Sequence, residues 1–179
     1  MVSDCIAAIS TAPAAGGVAI IRISGAGALA VAAKGFASSG RRAVKDFKPR
    51  YMYAGNISGA GGITDFGLCV YFRAPHSFTA EDVVELHCHG GVELSRAVLK
   101  AVLSAGARPA RAGEFTMRAF INGKLSLSAA EGLADMINGK SAAEVRAGSL
   151  LYSGRLTEEA KSVQGELTDI LAKIGADVD

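Results

Sequence analysis

Two ionisable residues sit inside apolar, strand-like runs. Arg22 follows Val18 to Ile21 in GGVAIIRISG, and Glu85 follows Val83 and Val84 in AEDVVELHCHGG. An unpartnered charge in such a run costs several kcal/mol, so any fold this chain adopts must bring each of them a partner. A direct pair between Arg22 and Glu85 would satisfy both, and so would a small polar ligand; from spacing alone both readings stand. A third block, Arg111 to Ile137, offers Arg118 and Lys124 as further candidates.

With 179 residues, half of them hydrophobic, the chain suits one medium domain or a smaller domain with an appendage. The formal net charge is +2, and only Arg41, Arg42, Lys45 and Lys48 cluster, so a nucleic-acid footprint is at most local. The three cysteines, Cys5, Cys69 and Cys88, are odd in number and have no CxxC spacing, which argues against a disulfide framework or a structural zinc site. No apolar stretch approaches the roughly 20 residues of a membrane helix, and no basic segment opens a secretory signal. The expectation is a soluble protein of the reducing cytoplasm, without membrane attachment.

The continuous run Val18 to Ile23 predicts a central strand buried on both faces, and Ser24 is placed to cap a helix carrying Leu29, Ala32, Ala33 and Phe36, ended by Ser38-Ser39-Gly40. Arg50 to Ile57 and Ile63 to Phe72 predict a hairpin around the glycine-rich Ser58 to Gly62. Val83 to His87 predicts another strand, Gly90-Gly91 a turn, and Leu94 to Leu103 a helix. Beyond Phe115 strand signals stop. Ser128 and Ser141, each followed three residues on by glutamate, match capping boxes, and a last helix after Thr157 carries the stripe Val163, Leu167, Ile170, Leu171 and Ile174. The fold class expected is α+β, with a mixed-sheet domain over residues 1–120 and a helical segment over 121–179.

Several motifs lead nowhere. Gly25-Ala-Gly27-Ala-Leu-Ala30 matches the dinucleotide fingerprint, but the polar, basic Ala37 to Asp46 replaces the second strand and its acidic end. Gly123-Lys124 is followed by Leu125, so no Walker-type phosphate cradle is present and this chain alone should not hydrolyse a nucleoside triphosphate. His87 and His89 share one strand face and Cys88 the other, too few convergent ligands for a metal. Glu85 is different, because a carboxylate accepts two parallel hydrogen bonds from a flat amidine-like edge such as that of a pterin.

The blocks DCIAAISTAPAAGGVAIIRISG (4–25), APHSFTAEDVVELHCHGG (74–91) and RAGEFTMRAFINGKLSLSAAEGLADMI (111–137) closely resemble the N-terminal part of the MnmE (TrmE) family of tRNA-modification GTPases. The resemblance implies a folate-binding domain similar to aminomethyltransferase-type enzymes, followed by an incomplete helical domain into which the family inserts its GTPase domain. It also implies homodimerisation, a flavoenzyme partner of the MnmG type, and tRNA as substrate of the full complex, with a formyl- or methylene-tetrahydrofolate supplying one carbon for the wobble uridine. GTP, Mg2+ and K+ belong to the GTPase domain, which this chain lacks. The family's folate-binding residues carry over to Arg22, Glu85 and Lys124. No catalytic residue carries over. Two departures stand out: His87-Cys88 replaces the usual Gln-Gly, and the loop Thr11 to Gly16 lacks an arginine. A stand-alone folate-dependent one-carbon transferase and a ligand-free dimerisation module are the alternative readings.

Overall fold

The computed structural model describes residues 4–40 and 42–178. In chain order the elements are β1 (Ile6–Ile9), β2 (Gly16–Ser24), α1 (Ala28–Ala33), β3 (Phe36–Ser38), β4 (Met52–Ser58), β5 (Thr64–Phe72), β6 (Val83–Gly90), α2 (Val92–Ser104), β7 (Arg108–Pro109), α3 (Glu114–Ile121), α4 (Leu127–Asn138), α5 (Ala142–Tyr152) and α6 (Arg155–Val178). The seven strands form one sheet in the order β3-β4-β5-β6-β2-β1-β7, antiparallel throughout except for the parallel β1–β7 pair. The chain is thus α+β, a mixed sheet with helices followed by helices alone.

The core lies on one face of this sheet. Ile21 and Ile23 of β2, Val84 and Leu86 of β6 and Cys69 and Tyr71 of β5 pack with Ala28, Val31 and Ala32 of α1 and Val98 and Val102 of α2. The same strands turn their alternate residues the other way: Val18, Ile20 and Arg22 stand opposite His89, His87 and Glu85. That second face stays partly open, and Val18, Met52 and Phe66 are exposed on it.

β2 does lie inside the sheet, as the apolar run predicts, but it is not buried on both faces, because no helix of the described residues covers its second one fully. The hairpin β4–β5 forms as expected, its turn eased by Gly61 and Gly62 at φ 74° and 77°. Ser24 does not cap α1: Gly27 holds that position at φ 93°, while Ser24 is buried and donates to Glu81 at 2.7 Å. Phe36 leaves the helix for β3, where it pairs with Ile57 and meets Phe47 edge to face. The capping box at Ser128 is two residues late, since Ser126 accepts from the Ala129 N–H at 3.1 Å. Ser141 does cap α5, accepting from the Glu144 N–H at 3.2 Å. The last helix starts two residues before Thr157, and α3 falls inside the stretch that precedes the purely helical part.

Two compact units result, Met1–Lys124 and Leu125–Asp179. The first reaches Lys124 because the turn after α3 folds back on it: the Lys124 N–H donates to Ala119 O at 2.8 Å and Asn122 Nδ2 to Thr79 O at 2.7 Å. Within the second, α4 and α5 meet at Gly132 and Gly148. A Cβ on Gly132 would stand 2.5 Å from the Gly148 carbonyl oxygen, and one on Gly148 2.7 Å from that of Gly132. The apolar stripe of α6 is exposed along Val163, Leu167, Ile170, Leu171 and Ile174.

Gly148→Leu should therefore force α4 and α5 apart and cost about 1–3 kcal/mol. Amide hydrogen exchange should report it as faster exchange in both helices, with β2 and β6 unchanged. In the unmodified chain the exposed stripe leaves α6 the fastest-exchanging helix, since a lone helix of this kind is marginal in water.

Candidate functional site

Register brings Arg22 and Glu85 together. They stand directly opposite each other on β2 and β6, on the sheet face away from α1 and α2, and Arg22 Nε donates to Glu85 Oε1 at 2.8 Å. His87, two residues along β6 on the same face, places Nε2 at 3.2 Å from Glu85 Oε2, where its Nε2–H tautomer donates. The direct pair left open by the sequence is thus formed, with His87 as a second partner. The side chains of Arg22, Glu85 and His87 are 28%, 12% and 17% exposed, so the group is shielded yet reachable. Burial pushes the Glu85 carboxyl up, but the hydrogen bond from His87 and the charge of Arg22 outweigh it and hold the group below the usual carboxylate range.

Two aromatic rings flank the guanidinium. Phe78, from the loop before β6, has its ring centroid 5.5 Å from Arg22 Cζ, and Phe115, from the first turn of α3, has its own at 5.7 Å. Beyond His87 the open sheet face holds a shallow cleft of about 200 Å³ between Val18, Phe66, Leu68 and His89. Lys124 is exposed in the turn after α3, and its ammonium makes no hydrogen bond to Arg22 or Glu85. The structure joins two of the three candidates and leaves the third at the end of the helix that carries Phe115.

His89 Nδ1 meets Asp65 Oδ1 at 2.7 Å, and no group of three potential metal ligands occurs among the described residues. Cys88 points into the core, and burial raises its thiol together with those of Cys5, to about 11, and Cys69, to about 12. All three stay protonated at neutral pH. No described helix is long and apolar enough to cross a membrane.

Beside the site lies a charge network that the spacing of residues did not reveal. Arg118 is 1% exposed; it donates to Asp4 Oδ1 at 2.6 Å, to both Glu81 oxygens at 3.2 Å and to Glu114 Oε1 at 3.3 Å. Arg108 bonds Asp4 and, through two nitrogens, Glu114. Two guanidinium groups thus face three carboxylates, which leaves a formal surplus of one negative charge, and Arg118 Nε is buried without a partner among the described residues. Glu114 and Arg118 are four apart on one helix in the favourable order, the one local signal of this network in the sequence. Ser24, Thr79 and Glu81 complete it, with Ser24 Oγ 2.7 Å from both partners. The loop that presents Phe78 is therefore tied to α3 and the turn after it at Thr79 and Glu81, just beyond that ring.

The family described as "GTP-binding protein TrmE N-terminus" matches residues 5–124. The chain belongs to that family. It is 41% identical over 178 residues to the tRNA modification GTPase MnmE of Clostridioides difficile, covering 99% of this chain and 39% of that protein. The MnmE of Sulfurimonas denitrificans is 43% identical over 181 residues, covering 100% of this chain and 39% of the relative, and that of Francisella tularensis subsp. novicida 40% over 176 residues, covering 98% and 38%. The chain thus corresponds to the N-terminal region of MnmE-type tRNA-modification GTPases and spans about two fifths of their length.

Replacing Arg118 by Met should lower unfolding stability by about 3–5 kcal/mol, because Glu81 and Glu114 lose a buried counter-charge. Urea titration measures it. Acid should act on the same network. The hydrogen bond from Arg108 holds the Glu114 carboxyl down at about 2, against an ordinary 4.5, and a bond from the same arginine lowers Asp4. Carboxylates lowered in the folded state contribute stability that is complete above their ordinary values and is lost as pH falls toward 2. Arg108→Met should flatten that acid loss in a series of urea midpoints across pH.

Proposed function

We propose that this chain is the folate-binding, dimer-forming part of an MnmE-like tRNA-modification GTPase, and that it takes a formyl- or methylene-tetrahydrofolate at Glu85, Arg22 and Lys124. The observation that carries the reading is the state of Glu85. Its carboxylate is ionised and largely shielded on a partly open sheet face, and Arg22 and His87 use only one hydrogen-bonding position on each oxygen. A carboxylate has about four such positions, so one remains on each oxygen for the two donors of a pterin amidine edge. Arg22 and the exposed Lys124 are cations that suit the rest of an anionic folate. The residues present therefore fit the group, whose chemistry would be the donation of one carbon to the modified uridine.

The open sheet face supports homodimerisation. Val18, Met52 and Phe66 expose apolar surface beside the site, and pairing two such faces would remove it from water. The wider activity follows from kinship with proteins named tRNA modification GTPase: tRNA and an MnmG-type flavoenzyme would be partners of the complete assembly in the cytoplasm, and GTP with Mg2+ and K+ would bind the GTPase domain of the longer relatives. The direct Arg22–Glu85 pair favours one competing reading, a dimerisation module with no ligand.

Calorimetry with formyl-tetrahydrofolate separates the two. Binding is expected, and Glu85→Gln, which turns one acceptor into a donor, should weaken it by about 1.5–3 kcal/mol. Unchanged affinity in a folded variant would sink the assignment, and no binding by the parent chain favours the module. Light scattering at micromolar concentration should report twice the chain mass of 18.3 kDa. A monomer at high concentration would count against the dimer.

A further inference from the structure

We infer that residues 42–51 form a docking surface for single-stranded RNA, with Arg42, Lys45, Lys48 and Arg50 on the phosphates and the ring of Tyr51 under an unpaired base. The inference rests on the tRNA part of the proposed function for its natural RNA and on nothing in the folate part. The segment leads into β4, at the β3–β4 end of the sheet, with β5 between it and β6. Its ten positions hold four basic residues and one acidic, Asp46, a local surplus of three positive charges in a chain whose net charge is +2. Among the described residues none of the four cations forms an ion pair with a carboxylate. Unpaired surface charges of one sign attract a polyanion and exchange its counterions.

The local fold holds these side chains outward. Val44 and Phe47 are buried, and a short helical turn over Val44–Asp46 joins them, so that Lys45 and Lys48, each one residue further on, are exposed. Arg42 Nη1 donates to Asp46 O at 3.3 Å, over the same turn. The Lys48 N–H donates to Tyr53 Oη at 2.9 Å, and the rings of Phe47 and Tyr53 stack with centroids 3.7 Å apart. Arg50 takes φ 63°, a left-handed conformation held by its N–H on Tyr71 O at 2.7 Å and its Nη2 on His76 O at 3.3 Å. Tyr51 follows, 61% exposed, its ring 5.3 Å from that of Tyr53. The surface is therefore preorganised and loses little ordering entropy on binding. Three kinds of polyanion suit its charges. A membrane also needs a row of apolar side chains to insert, and Val44 and Phe47 are already buried. An acidic protein segment leaves the Tyr51 ring idle. A nucleic acid with unpaired bases uses both features, since each base offers a face for stacking while its phosphates meet the cations.

Fluorescence anisotropy on the full chain tests this, with a labelled tRNA anticodon stem–loop and a fully paired RNA duplex of equal length as probes. The stem–loop should bind with log K falling against log salt at a slope of about −3, as for roughly four phosphates of a single strand. The triple change Arg42→Gln, Lys45→Gln and Lys48→Gln should weaken binding about tenfold or more at low salt and bring the slope to about −1. Tyr51→Ala should cost about fivefold or more on the stem–loop, the low end of one base stack, and leave the duplex unchanged. Lys100→Gln, Arg146→Gln and Lys161→Gln together remove as many exposed cations elsewhere and should change neither probe's affinity. Every replaced side chain is exposed, so the variants should keep the parent's thermal midpoint and its response to formyl-tetrahydrofolate, which separates failure here from failure of the folate reading. No stem–loop binding by the parent chain, or undiminished binding by the triple variant, overturns the inference. So does a Tyr51→Ala variant that binds the loop as before or weakens on loop and duplex alike. Equal affinity for polyglutamate or for phosphatidylserine vesicles would also overturn it, assigning the surface to an acidic protein or to a membrane.

Discussion

The buried guanidinium of Arg118 is the constraint on which the first unit depends. It joins three parts of the chain that share no local sequence: the N-terminal Asp4, the loop residue Glu81 and the helical Glu114. Taking these charges out of water is costly, and the cost is offset only while every partner stays in place. Removing one partner does not loosen one contact; it leaves a charge stranded in the interior. The network thus fixes α3 against the sheet and, through Glu81, the loop before β6. Arg22 inherits its position from both.

The site itself is built by a cheaper device. Opposed residues of an antiparallel pair point to the same face, so a basic residue on β2 and an acidic one on β6 need only the right register to meet. The register is set by the apolar residues that alternate with them, since a slip by one position would send Ile21, Ile23 and Leu86 to the open face. The hydrophobic pattern that stabilises the core therefore also sets the geometry of the polar face. His87 uses the same alternation to reach Glu85.

Much of this was legible from residues alone, and the failures have physical causes. Arg22 and Glu85 stood out because a charge inside an apolar run is conspicuous, and the α+β class followed from where strand signals stop. The partner of each was not decidable, since register is a property of two strands. Asp4, Glu81 and Arg108 carry no local mark of their roles, which depend on neighbours up to 114 positions away. Ser24 and Ser128 looked like helix caps because local spacing allowed it, yet burial claimed the first and Ser126 reached the helix end before the second. Phe36 fitted a helical stripe as well as a strand, and its pairing with Ile57 decided the matter. The place of Lys124 rests on kinship more than on any bond it makes.

The parallel contact of β1 with β7 places the beginning of the first unit beside its last strand, Ile6 opposite Arg108 and Asp4 bonded to Arg108 and Arg118. During synthesis the chain emerges in order, so Asp4 waits more than a hundred residues for its partners. Until β7 has emerged, the sheet edge at β1 has no neighbour on that side, and until α3 follows the N-terminal segment lacks its bond to Arg118. Closure of this unit is therefore a late event governed by long-range contacts, and a ribosome-bound intermediate ending before Arg108 would present an unpaired strand edge to chaperones or to another nascent copy.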